Sequence, residues 1–256
     1  MSTLNAESLP LLDFEQYQKV IEPIFPNFER MIRFYTFFHA LFIFIAIIET
    51  VLFFSYFTFL SQSFALGFCL AAFFFTCFSY FTLRLYLKAK KPEQLLHLKQ
   101  QYLEKCKEII GYQEGMAESH AALAKACAKF ANSLHAKEYT YYRPPSWLGT
   151  LAPTLEKISC RIHWQDFHAL RELLLKASVE EHIKLVKCEP TDLEVHAALA
   201  NAYVMLSGLY IDPRKMEGYD EELWIPPDKF TPDMETQFRT TSDKAIEAFK
   251  ILCEYA

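Results

Sequence analysis

Side chains that could carry chemistry are few and widely spread. His163 and His168 flank Asp166, a set that could hold a metal ion if folded around one. On a helix this spacing turns the two imidazoles to different sides, so capping or core roles fit better than a metal site. His120 and His196 stand in two similar contexts, AESHAALAKAC (117–127) and LEVHAALANAY (193–203). Equivalent placement in two copies argues for packing rather than catalysis. Glu49 and His39 lie inside a long apolar run. A carboxyl there either relays a proton or ion, or stands protonated and bonded to Thr76, Ser79 or a neighbouring copy of the chain. Two spans leave little room for a pathway, which favours the bonded role. His39 is expected to pack or hydrogen-bond near an interface.

None of the 7 cysteines forms a C-x-x-C pair, and no Ser or Cys stands beside a convincing base. Nucleotide-binding glycine patterns are missing, as is H-E-x-x-H; the chain has only 6 Gly. No catalytic residue, metal or cofactor is expected, and the chain reads as a binding protein rather than an enzyme. The scattered thiols fit a reducing compartment. A net charge of −5 without a basic stripe argues against nucleic-acid binding.

The elements that position these residues fall into blocks. Mean hydropathy is +0.04, but that average hides one very apolar block in an otherwise charged chain. Phe34–Leu60 would reach roughly 40 Å as a helix, more than the ~30 Å hydrocarbon core, so part of it must tilt or lie in the interface. Phe64–Leu83 carries no carboxylate or amine and has the length of one span. Ser61-Gln62-Ser63 between them suits a tight turn and carries no cation. Lys19, Arg30 and Arg33 precede the block, and Arg84, Lys88, Lys90 and Lys91 follow it. The positive-inside rule therefore places both ends on the cytoplasmic side, with Tyr35, Tyr56, Tyr80 and Tyr86 near the interfaces. The first residues carry Glu7, Asp13, Glu15, Glu22 and Glu29 and do not read as a secretory signal.

Before the block, Pro10, Pro23 and Pro26 are expected to break any long helix, leaving at most a short interfacial helix over Leu11–Ile21 or a segment that orders on binding. After it, Lys91-Pro92 marks a boundary, with Pro92 and Glu93 in the first turn of a new helix. Leu95, Leu98, Tyr102, Cys106 and Ile109 give that helix its packing stripe, which ends at Gly111.

The self-match between 117–127 and 193–203 shares E-x-H-A-A-L-A-x-A. Small residues (Ala197, Ala200, Ala202) beside larger ones (Leu199, Tyr203) allow a second helix to approach closely. Pro190–Tyr203, PTDLEVHAALANAY, resembles the junction of two tetratricopeptide repeats. Pro190 would be a terminal proline, and His196, Leu199, Ala200 and Tyr203 the first-helix signature. Ser178–Pro190 and Asp243–Ala256 resemble second helices, the latter packing through Ala245, Phe249 and Leu252. A strict period of about 34 residues does not hold, because extra stretches of about 42 and about 33 residues interrupt the two copies and include the Tyr-, Trp- and Pro-rich segments 138–153 and 209–233. These either recognise a ligand or lie down on the stack. The chain stops where a further repeat would begin, so Ile246, Leu252 and Phe249 are expected to be exposed unless further repeats or a second copy cover them.

The repeat resemblance implies a protein or peptide ligand in a groove lined by Glu118, Lys125 and Lys129 from one copy and Glu194, Asn201 and Met205 from the other. The hydrophobic hairpin is similar to the bilobed motif of chlamydial inclusion membrane proteins, secreted effectors that display domains to a host cytosol. The expected organisation is all-α: a polar segment (1–33), a transmembrane hairpin (34–83), a linker helix (84–112) and a tetratricopeptide-like solenoid (113–256). The expected function is membrane-anchored scaffolding, with both termini cytoplasmic. The membrane would be a bacterial inner membrane or, for an effector, a host-facing inclusion membrane. A channel or transporter subunit using Glu49 is the remaining alternative.

Overall fold

The computed structural model describes residues 14–57, 64–141, 149–150, 152–215 and 227–255. Among these there are seven α-helices and no strand, so the protein is all-α. They are α1 (Phe14–Ser55), α2 (Ala65–Ile110), α3 (Ala117–Ser133), α4 (Lys137–Thr140), α5 (Ala152–Cys188), α6 (Leu193–Tyr210) and α7 (Pro232–Tyr255). Short 3-10 turns occupy Pro213–Lys215 and Pro227–Lys229. The chain divides into two compact units, residues 25–98 and residues 99–256, the latter together with the segment up to Ile24.

Residues 25–98 form an antiparallel helical pair. Among the described residues, two helices are long and apolar enough to cross a membrane. Contrary to expectation, Pro23 and Pro26 do not break α1, and Pro92 lies inside α2 rather than starting a new helix. A helix-interior proline forfeits one backbone bond and costs about 3 kcal/mol. Apolar burial offsets it: Ile24, Phe28 and Ile32 are buried around the first pair of prolines, and Leu95 and Leu98 follow Pro92. Between the two helices, the Tyr35 hydroxyl lies 2.8 Å from Gln94 Oε1 and 3.2 Å from the Leu87 carbonyl. The Lys91 ammonium sits 4.7 Å from the Tyr35 ring centroid.

The other unit is a stack. The stripe expected on α2 is present at Tyr102 and Cys106, which are buried, whereas Ile109 is exposed. Helix α2 ends at Ile110, and Gly111 takes a φ of 65°, which an L side chain resists. Helix α3 packs on α5, α5 on α6, and α6 on α7, with the short α4 also against α5. The helix expected at Ser178–Pro190 is only the last part of α5, which runs unbroken for 37 residues. Pro153 sits in its first turn, and no other proline follows until Pro190. Much of the first insert is therefore helix. Asp192 caps α6, its side chain accepting from the Glu194 N–H at 2.8 Å. Helix α7 starts at Pro232, earlier than expected, with Asp233 and Glu235 in its first turn. Its packing row is Thr241, Ala245 and Ala248; Phe249 points outward with Ile246, and Leu252 is half-buried.

The two matched segments are α3 and the start of α6. Ala124 and Ala200, equivalent in the match, are both fully buried. The Ala124 carbonyl accepts a hydrogen bond from Ser178 Oγ at 2.9 Å, so α3 and α5 meet at backbone distance there. Leu123 is buried, while Ala197, Leu199 and Tyr203 are half-buried.

Candidate functional site

In the hairpin, Glu49, Thr76, His39 and Tyr80 meet between the helices, and many large apolar groups face outward. Thr76 Oγ1 donates to Glu49 Oε1 at 2.7 Å, which is one of the partners expected for this carboxyl. Tyr80 OH lies 3.2 Å from His39 Nδ1. Glu49 lines an apolar cavity of about 610 Å³ with Thr50, Phe53, Cys69 and Phe73. Outward-facing Phe37, Phe44, Phe54, Phe74, Phe75 and Phe78 are each at least 60% exposed.

In the helical stack, a buried polar tie joins the turn after α2 to α3 and α5. His120 Nδ1 is 2.7 Å from Glu181 Oε2, and the Tyr112 hydroxyl is 3.2 Å from the same ring nitrogen. Lys184 Nζ donates to Glu181 Oε1 at 2.6 Å. Burial alone would raise the Glu181 carboxyl, but the hydrogen bonds from Lys184 and His120 outweigh it and hold it below its ordinary value. Burial, reinforced by the Glu181 charge, raises the Tyr112 phenol. His196, the matched position, instead donates through Nε2 to the Pro190 carbonyl at 2.9 Å. His120 thus ties α3 to α5, whereas His196 is bonded to the turn that precedes its own helix. Tyr112 and Glu181 carried no sequence signal of this role, since Glu181 is far from both in the chain.

A second group of buried polar side chains surrounds the junction of α4 and α5. Ser159 Oγ donates to the Glu138 carbonyl at 2.6 Å. Burial raises the Glu138 carboxyl, lowers His168 to about 4 and pushes the Cys160 thiol up to about 11. A thiol with that value is a poor nucleophile at neutral pH. His163 and His168 are both on α5; Trp164 stacks on His168 at 4.3 Å, and Tyr141 packs 4.5 Å from the His163 ring. Among the described residues no three His, Cys, Asp or Glu side chains converge to hold a metal ion.

The described parts of both inserts lie against the stack. Tyr141 packs on His163, Phe230 lies 5.4 Å from Trp164, and the Tyr210 hydroxyl donates to Glu172 Oε1 at 2.8 Å. Residues 142–148, 151 and 216–226 of these inserts lie outside the described residues, as do the Ser61-Gln62-Ser63 link and residues 1–13.

The six expected groove residues form two stripes. Glu118, Lys125 and Lys129 share one exposed face of α3; Glu194, Asn201 and Met205 share one face of α6, Met205 being half-buried. Both helices pack on α5. The opposite face of α6 lines a separate cleft of about 350 Å³. Tyr203, Leu206, Val179 and Ile183 give it apolar walls, with Lys176, Gln237 and Lys244 among its polar groups. None of the six residues lines this cleft. Tyr203 and Leu206 were legible as helix packing positions, but α7's contribution from Thr236 to Lys244 was not.

The fold and its surfaces define an all-α protein with an apolar two-helix hairpin and a stacked-helix unit. Comparison with known protein families, with curated proteins and with solved structures finds no match in any of the three.

Proposed function

We propose that this is a membrane-anchored interaction protein: the hairpin spans the bilayer twice, and the helical stack is a tetratricopeptide-like module that binds another protein. The observation that carries the reading is the inside-out hairpin. Glu49 with Thr76, His39 with Tyr80 and Tyr35 with Gln94 are paired between the helices, while phenylalanines cover the outside. A bilayer supplies no water for polar groups and a favourable solvent for rings, which is the partition observed. About twenty residues of each helix lie between the basal tyrosines and the turn, matching a ~30 Å core. Cations flank the block on both sides and are missing from the Ser61-Gln62-Ser63 link, which favours both ends on the cytoplasmic face.

The cleft beside Tyr203 is the favoured docking place for an apolar side chain of a protein partner. It is a cleft lined by both apolar and polar side chains, as binding pockets are. Lys176 and Lys244 outnumber Glu180 among its charged groups, which favours an acidic neighbour in the ligand. The buried polar groups are read as ties between helices rather than as catalytic machinery.

Two measurements on the full chain in its native cell test this. Resistance of the protein to alkaline extraction of membranes tests the anchor; release into the soluble fraction overturns it. Photo-crosslinking from position 203 tests the module. A discrete crosslinked protein is expected, and its absence from position 203 overturns the cleft.

A further inference from the structure

We propose that the base of the hairpin binds the headgroups of anionic phospholipids. This rests on the membrane-spanning reading above and adds a ligand class to it. The whole chain carries 31 acidic against 26 basic side chains. The base of the hairpin reverses that balance: Arg30, Arg33, Arg84, Lys88, Lys90 and Lys91 stand against only Glu29 and Glu93.

Placement on the helices makes these cations a collar. On α1 the exposed row Phe37, Leu41, Phe44 and Ile48 continues at helical spacing into Arg33 and Arg30, both exposed. On α2 the exposed row Phe74, Phe78, Phe81 and Leu85 runs into exposed Lys88, with exposed Arg84 beside it. A lipid whose acyl chain lies along either row therefore meets a cation at the headgroup end of the same row. From Arg84 to Lys91 the collar extends about 10 Å along α2. One headgroup layer is roughly 5–8 Å thick, so the collar covers it, and the long stem of Arg84 lets its guanidinium reach the interface.

The collar also has aromatic support and limited self-neutralisation. Arg84 lies 6.0 Å from the Tyr80 ring centroid and Lys90 lies 5.4 Å from that of Tyr86. Arg33 is bonded to Glu29 at 3.1 Å, an exposed pair that an anionic headgroup can join or displace. Each juxtamembrane cation adds attraction to an anionic leaflet, and a guanidinium matches a phosphate in two-point geometry.

The test uses the full chain reconstituted into vesicles of mixed phosphatidylcholine and phosphatidylglycerol. The lipid retained after gentle detergent release is identified by native mass spectrometry. Retention of phosphatidylglycerol over phosphatidylcholine is expected. Combining Arg30→Gln, Arg33→Gln, Arg84→Gln and Lys88→Gln is expected to reduce that preference by roughly tenfold or more. Lys187→Gln with Lys250→Gln, in the helical stack, is expected to leave it unchanged. Equal retention of both lipids by the native chain overturns the proposal, as does a preference that survives the four collar substitutions. Alkaline extraction of the same vesicles reads insertion separately: a chain that inserts without headgroup preference sinks the collar alone, and one that fails to insert sinks the spanning reading beneath it.

Discussion

His120 Nδ1 lies 2.7 Å from Glu181 Oε2, and both side chains are closed off from solvent. This contact fastens α3 to α5, and Lys184 holds the other carboxylate oxygen. Removing the negative charge weakens the charge-assisted hydrogen bonds from His120 and Lys184, which costs about 1–3 kcal/mol. Glu181→Gln is therefore expected to destabilise the helical stack by about that amount at pH 7, read by pulse proteolysis of the full chain in vesicles. The folded-state pKa of Glu181 is depressed, so its contribution is present above the unfolded value near 4.5 and fades as pH falls through the lower folded value. The gap between native and variant should close only below pH 4.5. A gap that closes between pH 7 and 5 would mean that another group sets it.

His168 gives the opposite assignment of pH window. Burial lowers it from 6.5 to about 4, so the folded state resists its protonation. A depressed imidazole contributes stability fully above 6.5 and loses it progressively as pH falls from 6.5 toward 4. The loss for this one group is up to about 3 kcal/mol. His168→Gln should flatten the stability profile across that window and leave the region below pH 4 unchanged in slope. Parallel profiles for native and variant would refute the role of burial at this position.

The apolar hairpin, the all-helical content and the close-packing alanines were legible, because each rests on local composition and spacing. The Glu49–Thr76 bond was among a short set of expected pairs, because two adjacent apolar helices leave few polar partners. Helix lengths were not legible. Pro23, Pro26 and Pro92 looked like breaks, yet α1 and α2 run through them, with buried Ile24, Phe28 and Ile32 on α1 and buried Leu95 and Leu98 after Pro92. The tie from His120 to Glu181 and the cleft between α5 and α7 depend on which helices meet. Periodicity shows which face is buried but not what it is buried against.

Ala124 and Ala200 test the packing half of the repeat match. Both are fully buried, and Ala124 lies where Ser178 reaches across to its carbonyl. A leucine at either site has no room without backbone movement. Ala124→Leu and Ala200→Leu are each expected to destabilise the stack by about 1–3 kcal/mol, with Ala124→Gly costing about 1 kcal/mol through helix propensity. The readout is again proteolysis of the full chain. A neutral effect of leucine at both positions would show that the matched alanines are not contact points.

Glu49 separates an anchor from a conduit. In the anchor its carboxyl is a hydrogen-bonding group paired with Thr76, and glutamine supplies the same oxygen. Glu49→Gln should leave insertion and partner crosslinking intact, and Thr76→Val should cost about 1 kcal/mol of hairpin stability. Glu49→Lys should impair insertion, since a lysine ammonium is neutralised only by losing a proton, far below its ordinary pKa. If vesicles holding the native chain conduct ions and those with Glu49→Gln do not, the carboxyl is part of a pathway and the anchor reading fails.

Tyr203 and Asn201 lie on opposite sides of α6, which lets one helix report on two candidate surfaces. Tyr203 faces the cleft with Leu206, whereas Asn201 shares the exposed stripe of Glu194 and Met205. An aromatic ring that a ligand covers in a cleft often carries a large share of binding energy, and truncating such a ring typically costs more than 1 kcal/mol. Tyr203→Ala is therefore expected to weaken capture of the crosslinked partner by about tenfold or more. The combined Lys125→Ala and Asn201→Ala change removes one side chain from each polar stripe and is expected to change capture by less than about threefold. Tyr203 is half-buried, so its truncation could also loosen α6 on α7. Tyr203→Phe separates the two effects, because it keeps the ring and the packing and removes only the hydroxyl. Retained capture by Tyr203→Phe, with loss in Tyr203→Ala at unchanged protease resistance, assigns the ring to the ligand. The reverse pattern, loss from the stripe pair and normal capture by Tyr203→Ala, moves the ligand to the exposed faces of α3 and α6.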